Sequence, residues 1–396
     1  MGIPLFLLFC VYGVVNTYLP ILLFDLGYSA TLIGVLQGIF EAAGLLFPIF
    51  VSSKVDRKGN YGIVMILLAL LMVVVLPALV FINNFWVTAL ALALFAIGFK
   101  GAVPVSDALV SRRLGQNNTN YGKVRVMGSI GFVCITLLLQ FTHLIKSDSP
   151  SSIALWMGLP SVLFALSVVA IPGLLKTWPQ TPVPADAPVS DSSAAPRAEP
   201  PVFVGPSLLR EFPEAFWLGI GLIFLGFLGM TPSQRFFSLY VQEYLHLESY
   251  AGLWALSAMA EVPFMFLSGW FIRRFGTERI LFVSLLAVIL RNLVYAIFPT
   301  FGGAVAGQLF HSVCFGLFHP AAVVFVTQRA PKRLMAVGLT LYSSVAVGIA
   351  SVLGNILGGV VIDSLGYRPL FVVFSVFPLL GIFLFVAFRN RLYARH

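Results

Sequence analysis

The chain has 396 residues, of which 59% are hydrophobic and 10% charged, whereas a soluble domain is roughly half apolar and a quarter charged. That balance excludes an ordinary water-soluble fold and implies a polytopic protein whose main partner is the lipid bilayer. The formal net charge of +9 does not call for nucleic acid, because the basic residues gather in alternate loops, as the positive-inside rule requires, with only Lys146 and Arg368 on the other side.

Apolar runs of about 20 residues, enough to cross the hydrocarbon as a helix, predict spans near 4–24, 30–53, 61–82, 85–111, 121–145 and 152–175. A second set follows near 213–242, 249–272, 278–298, 301–328, 334–362 and 366–388. The first run has no basic segment before it and no small-residue cleavage site before Asp25, so it reads as a retained helix. Between the two sets, Lys176 to Arg210 is rich in proline, alanine and serine, the composition of a flexible tether. The expected organisation is therefore an N-terminal six-helix bundle (1–175), a cytoplasmic linker (176–212) and a C-terminal six-helix bundle (213–396), with both termini cytoplasmic. Within the linker's end, Leu208 to Pro213 reads as the start of a short interfacial helix. Cys10, Cys134 and Cys314 fall in three different spans, so no disulfide framework is expected.

The two halves repeat each other. V-S-S-K-V-D-R-K-G (51–59) follows the second span and S-G-W-F-I-R-R-F-G (268–276) the eighth, each with a charged pair, Asp56-Arg57 or Arg273-Arg274, two residues before a glycine. Upstream, L-G-Y-S-A-T-L-I-G (26–34) and L-H-L-E-S-Y-A-G-L (245–253) occupy matching places.

Ionisable groups inside the spans are costly unless paired or facing water. Depth follows from the rise of about 1.5 Å per helical residue. Counted from the basic loop residues, Glu41, Lys100, Glu261, Arg291 and His311 converge on one mid-depth layer, Asp107 and Arg125 lie shallower on adjacent helices, and Arg235 sits in the outer third. On single helices, Lys100 shares a face with Asp107, with a kink expected at Pro104 between them. Gln37 likewise shares one with Glu41, Trp254 with Glu261, and Gln308 with His311. Asp107 with Arg125 reads either as a structural ion pair or as a solute contact. Glu41 with Lys100 reads as a structural pair or cavity wall before a coupling site, Arg235 as a gate or interfacial anchor, and Trp254 as packing or a stacking platform. Glu261, Arg291 and His311, three polar groups from three helices, are the set least explained by packing. His319 reads as a support behind the site or as structural, and Gly128, Gly131, Gly354, Gly358 and Gly359 as close helix contacts.

The loop 51–59 resembles the G-x-x-x-D-R-x-G signature of the major facilitator superfamily, with Ser52 in place of its leading glycine; 268–276 keeps Gly269 but has Arg273 where the aspartate would be. Y-G-K-V-R-V-M-G-S-I-G-F (121–132), preceded by P-V-S-D-A-L-V-S-R-R (104–113), resembles the oligosaccharide:proton symporters and the related phenylpropionate and nucleoside permeases. The resemblance implies an all-α membrane protein of the major facilitator fold, twelve helices in two pseudo-symmetric bundles rocking about a midplane site.

It also implies roles. Asp107 and Arg125 would bind solute, and Glu261, Arg291 and His311 would couple protons. By their own depth and chemistry Lys100, Trp254 and Arg235 join the solute contacts and Glu41 the coupling set, and Asp56, Arg57, Arg273 and Arg274 are expected to form a conformational gate. The chain departs from the symporter pattern at Cys314, where a coupling glutamate is expected, and at Gln308, where a lysine is. Q-L-F-H-S-V-C-F-G-L-F-H (308–319) and F-F-S-L-Y (236–240) look instead like the phenylpropionate branch, leaving the proton to Glu261, Asp107 or Glu41.

The expected function is a monomeric secondary transporter of the cytoplasmic membrane, moving a small-molecule substrate with protons and without metal or other cofactor. Lys100, Arg125, Arg235 and Arg291 outnumber Glu41, Asp107 and Glu261 by one, which favours an anionic solute over a neutral sugar or nucleoside. An efflux antiporter is a rival, although the fifth span lacks the G-P-x-x-G-G run of such proteins. A phosphate loop G-x-x-x-x-G-K-[ST] and a metal motif H-E-x-x-H are both absent from the sequence, against a nucleotide-driven pump and a metalloenzyme. A transport-inactive receptor or another kind of membrane enzyme is the reading from a different class.

Overall fold

In lipid a backbone must satisfy its own polar groups, which for apolar runs of this length selects helices. The computed structural model describes residues 2–114, 121–145, 149–177, 209–248 and 250–393, without the side chains of 48–50, 52–54, 56–57, 114 and 121–123. Among the described residues twelve helices are long and apolar enough to cross a membrane.

They are α1 (Gly2–Asp25), α2 (Ala30–Lys58), α3 (Tyr61–Val74, continued by Leu76–Phe81), α4 (Phe85–Leu114), α5 (Tyr121–Thr142) and α6 (Pro150–Ala170). The second set is α7 (Glu214–Arg235), α8 (Tyr250–Phe275), α9 (Thr277–Ile297), α10 (Phe301–Arg329), α11 (Lys332–Leu365) and α12 (Tyr367–Ala387). A short α13 (Arg389–Tyr393) follows. The end of each helix that borders Lys58, Arg112, Arg273, Arg329 or Lys332 is called the basic end below.

Local sequence explains the irregular places. α3 restarts at Leu76 with Pro77 in its first turn, where a missing N–H costs nothing. α7 stops at Arg235, three residues after Pro232, and the chain continues through Phe237–Leu239 into wide turns at Tyr240–Tyr244. The expected single span over 213–242 is therefore broken at Phe236. Wide turns also interrupt α10 at Ser312–Leu317 and α11 at Tyr342–Ile349, whereas α4 is helical throughout, Pro104 included. Of the expected interfacial start, residues 209–213 are described, and there the Phe212 N–H donates to the Leu209 carbonyl.

The chain divides into two compact units, Met1–Val15 with Ala43–Ile135 and Pro150–Val202, and Asn16–Ala42 with Thr136–Ser149 and Phe203–His396. In the first, α3 packs on α4 and α6 around Met65, Met72, Phe95, Phe99, Met157 and Phe164, all buried. Gly131 makes the close helix contact expected of it, and the partner is α1: a Cβ there would stand 2.2 Å from the Phe6 carbonyl oxygen. In the second unit α7 packs on α11 and α12, and α9 on α10 and α12. There the first turns of α2 lie backbone to backbone on α11, since a Cβ on Gly34 would meet the Asn355 carbonyl oxygen at 2.3 Å and one on Gly359 the Ala30 carbonyl oxygen at 2.2 Å. Asp363 of α11 closes that joint by accepting hydrogen bonds from the Ala30 and Thr31 N–H groups, at 3.1 and 2.8 Å. The expected linker lies, apart from its ends, outside the described residues.

Candidate functional site

Arg291 and Tyr295 stand one turn apart on α9, and Gln308 and His311 on one face of α10, so these two helices meet through polar groups. Arg291 has 0% exposure. It donates to His311 Nδ1 at 3.0 Å, to Gln308 Oε1 at 2.9 Å, to the Tyr295 hydroxyl at 3.3 Å and to the Ser233 carbonyl of α7 at 3.5 Å. On the far side of the imidazole, His311 Nε2 lies 3.3 Å from Glu261 Oε2 of α8.

The protonation pattern follows from donor counting. A guanidinium only donates, so His311 Nδ1 must accept and the ring proton must sit on Nε2, directed at Glu261. Arg291 therefore fixes the tautomer, and His311 presents a hydrogen-bond donor to the carboxylate. While Arg291 holds Nδ1, His311 cannot gain a second proton, whereas Glu261 keeps an accepting oxygen whether ionised or protonated.

Two ion pairs accompany it. In the second unit the Arg235 guanidinium reaches Glu41 at 2.6 Å, both largely buried. This supplies the partner that the sequence left unassigned for Arg235. In the first unit Arg125 and Asp107 are 3.9 Å apart, an ion pair beyond hydrogen-bonding distance, and the same guanidinium stacks over Phe9 at 4.4 Å. Lys100 runs its aliphatic stem along Gly44, where a Cβ would stand 2.5 Å from Lys100 Cδ.

The Trp254 indole does not engage Glu261. Its N–H donates to Ser238 Oγ at 3.0 Å and its ring packs edge-on against Phe237, which makes it buried packing. Arg273 and Arg274 are exposed at the basic end of α8; the side chains of Asp56 and Arg57 lie outside the described residues.

Several groups escaped the sequence reading. Glu278 and Arg329 form a buried pair at 2.6 Å between α9 and α10; the signal was an acid in the first turn of one span facing a base in the last turn of another. Gln140 accepts from the Gly252 N–H at 2.8 Å and donates to the Glu248 carbonyl at 3.3 Å, tying α5 to the start of α8. Asp363 had the clearest signal: Gly359-x-x-x-Asp363-x-x-Gly366 repeats the spacing of Ser52, Asp56 and Gly59 and of Gly269, Arg273 and Gly276, and the last glycine of each has positive φ, +90°, +69° and +83°.

Among the described residues, twelve membrane-length helices joined by buried ion pairs match, by the comparisons that follow, transporters of small solutes rather than enzymes. The chain belongs to the MFS_1 like family, whose match covers residues 1–373, and so to the major facilitator superfamily. It is 24% identical over 388 residues to a probable 3-phenylpropionic acid transporter of Escherichia coli, covering 94% of this chain and 93% of the relative. It is likewise 24% identical over 290 residues to a maltose permease of Geobacillus stearothermophilus, covering 73% and 68%. A crystal structure of a variant of the nucleoside transporter NupG superposes with a TM-score of 0.81 at 17% identity over 98% of both chains.

Proposed function

We propose that this protein is a proton symporter that takes up a small carboxylate, aromatic acids of the 3-phenylpropionate kind first among them, by alternating access of two six-helix halves. It sits in the cytoplasmic membrane with both termini inside, the orientation that puts the basic ends of its helices in the cytoplasm. Glu261 carries the proton, His311 and Arg291 hold it in place, and Asp107 with Arg125 supplies solute contacts in the first unit. Arg235 with Glu41 acts as a switchable pair at the α2–α7 joint.

The observation that carries this reading is the Arg291–His311–Glu261 chain, in which one carboxylate stands at the end of a donor path fixed by a fully buried guanidinium. Burial raises a carboxylate's proton affinity and a nearby cation lowers it, so a chain that tightens and slackens as access alternates would load and release a proton. The relation to a maltose permease and the fold shared with a nucleoside transporter favour a second reading, proton symport of a neutral solute.

Uptake of labelled 3-phenylpropionate, maltose and uridine into proteoliposomes, with and without an imposed pH gradient, separates the two. Gradient-driven accumulation of the acid alone is the expected result. Equal uptake with and without the gradient overturns proton coupling.

A further inference from the structure

The wide turn at Ser312–Leu317 has a geometric consequence. In a regular α-helix residues four apart are displaced by about 40° around the axis, and a stretch wound more loosely, as at Ser312–Leu317, rotates less per residue and changes that offset. Across this stretch His311 stacks on Phe315 with ring centroids 5.4 Å apart and planes within 5°, and Phe315 stacks on His319 at 5.4 Å and 7°. The result is a ladder of three parallel rings with an imidazole at each end.

The two imidazoles are presented alike. His319 Nδ1 lies 2.6 Å from the Tyr342 hydroxyl of α11. Tyr342 is 4% exposed, and among the described residues its hydroxyl has no other acceptor, so a Tyr342 that accepted from His319 would bury an unpaired proton. The hydroxyl therefore donates to Nδ1, and the ring proton of His319 stands on Nε2, as it does in His311. The first Nε2–H is taken by the Glu261 carboxylate. The second has no partner among the described residues, and His319 is half-buried.

We propose that His319 is a solute-binding residue: its Nε2–H, held in that tautomer by Tyr342, donates to the carboxylate of the transported acid, with the Phe315 edge against the solute's apolar part. This rests on the carboxylate-symport reading above and adds to it. An anion at His319 stands two ring spacings along the ladder from His311 and its Glu261 partner, so it binds best when Glu261 is protonated, which ties solute to proton without direct contact.

The test is counterflow exchange in proteoliposomes by the full-length protein, with labelled 3-phenylpropionate, its alcohol analogue 3-phenylpropanol, maltose and uridine as probes. His319→Phe keeps a stacked ring without the donor, His319→Gln keeps a donor at similar reach, and Tyr342→Phe releases the tautomer. For the acid, His319→Phe is expected to raise the half-saturation concentration by about tenfold or more, the loss of one hydrogen bond to a charged acceptor. His319→Gln should stay within about threefold and Tyr342→Phe fall between, with unchanged thermal unfolding of all three.

Unaltered exchange by His319→Phe overturns the proposal, as does equal damage by His319→Phe and His319→Gln, or a wild type that exchanges the alcohol, maltose or uridine in preference to the acid. Glu261→Gln separates the two readings, since it should retain exchange and lose gradient-driven accumulation. If it accumulates the acid normally, proton coupling at Glu261 fails while the His319 result stands. A wild type that exchanges none of the probes refutes both.

Discussion

Arg291→Met removes a fully buried guanidinium whose two best hydrogen bonds, at 3.0 Å to His311 and 2.9 Å to Gln308, both come from a charged donor. Such bonds contribute roughly 1.5–3 kcal/mol each, and breaking a buried charge network by deleting one member costs about 3–5 kcal/mol. Part is recovered, because His311 Nδ1, once released, can take a proton and make a self-neutral pair with Glu261. The balance is a destabilisation of about 3 kcal/mol. Arg291→Lys keeps the charge but has no planar fork to span His311 and Gln308 together, so it should lose about half as much.

The assay is thermal unfolding of the purified full-length protein in detergent, with His311→Ala and the double variant beside it. Groups in one network couple by about 0.5–3 kcal/mol, so once Arg291 is gone the His311 substitution should have a much smaller effect than in the wild type. Arg291→Met unfolding at the wild-type temperature, or strict additivity of the two substitutions, would refute the donor-chain reasoning.

Three further outcomes follow from single contacts. Arg329→Met should cost about 3–5 kcal/mol by stranding buried Glu278, and adding Glu278→Leu should restore most of it, checked by the same unfolding measurement. Gly131→Leu should lower yield and unfolding temperature sharply, since its first side-chain atom would fall 2.2 Å from the Phe6 carbonyl oxygen and α5 would have to lift off α1. Asp363→Ala removes the acceptor for the Ala30 and Thr31 amides, a cap worth about 1 kcal/mol, so hydrogen exchange at those two amides should quicken by roughly fivefold while the core of α7 is unchanged.

The helices were legible because a span must be apolar over its whole length, a constraint that leaves a signal in any window of about 20 residues. The mid-depth set was legible too: counting rise from the basic loops brought Glu261, Arg291 and His311 to one layer, and hydrogen bonds join them. Pairing across helices was legible in part. Asp107 and Arg125, at matching depth on adjacent helices, form the ion pair that their places allow, whereas Glu41 and Arg235 lie on α2 and α7, and neither periodicity nor depth says that helices so far apart in the sequence touch. Trp254 shares a face with Glu261 by seven-residue spacing, yet its indole turns to Ser238, because rotamer choice is decided by the neighbouring helix. The wide turns left no trace either. Adding a residue to a turn does not alter hydropathy, and the ladder His311–Phe315–His319 runs through one of these turns.

The glycine turns show how a single backbone device acquires different uses. After α2, α8 and α11 the chain ends a helix, places a glycine at positive φ and starts another, and the residue three before that glycine is Asp56, Arg273 and Asp363 in turn. The positive φ requires glycine in each case; the charged position is free to vary, and its sign decides what it can hold. A helix N-terminus carries unpaired N–H groups and partial positive charge, so it accepts a carboxylate. Asp363 meets that demand at the start of α2. An arginine at the same place in the turn would be repelled by such a partner and is suited to carbonyls, carboxylates or headgroup phosphates, in keeping with the exposed Arg273. The recurrence of the turn is thus a matter of backbone geometry, while the α2–α11 joint exists because one copy of it carries an acid.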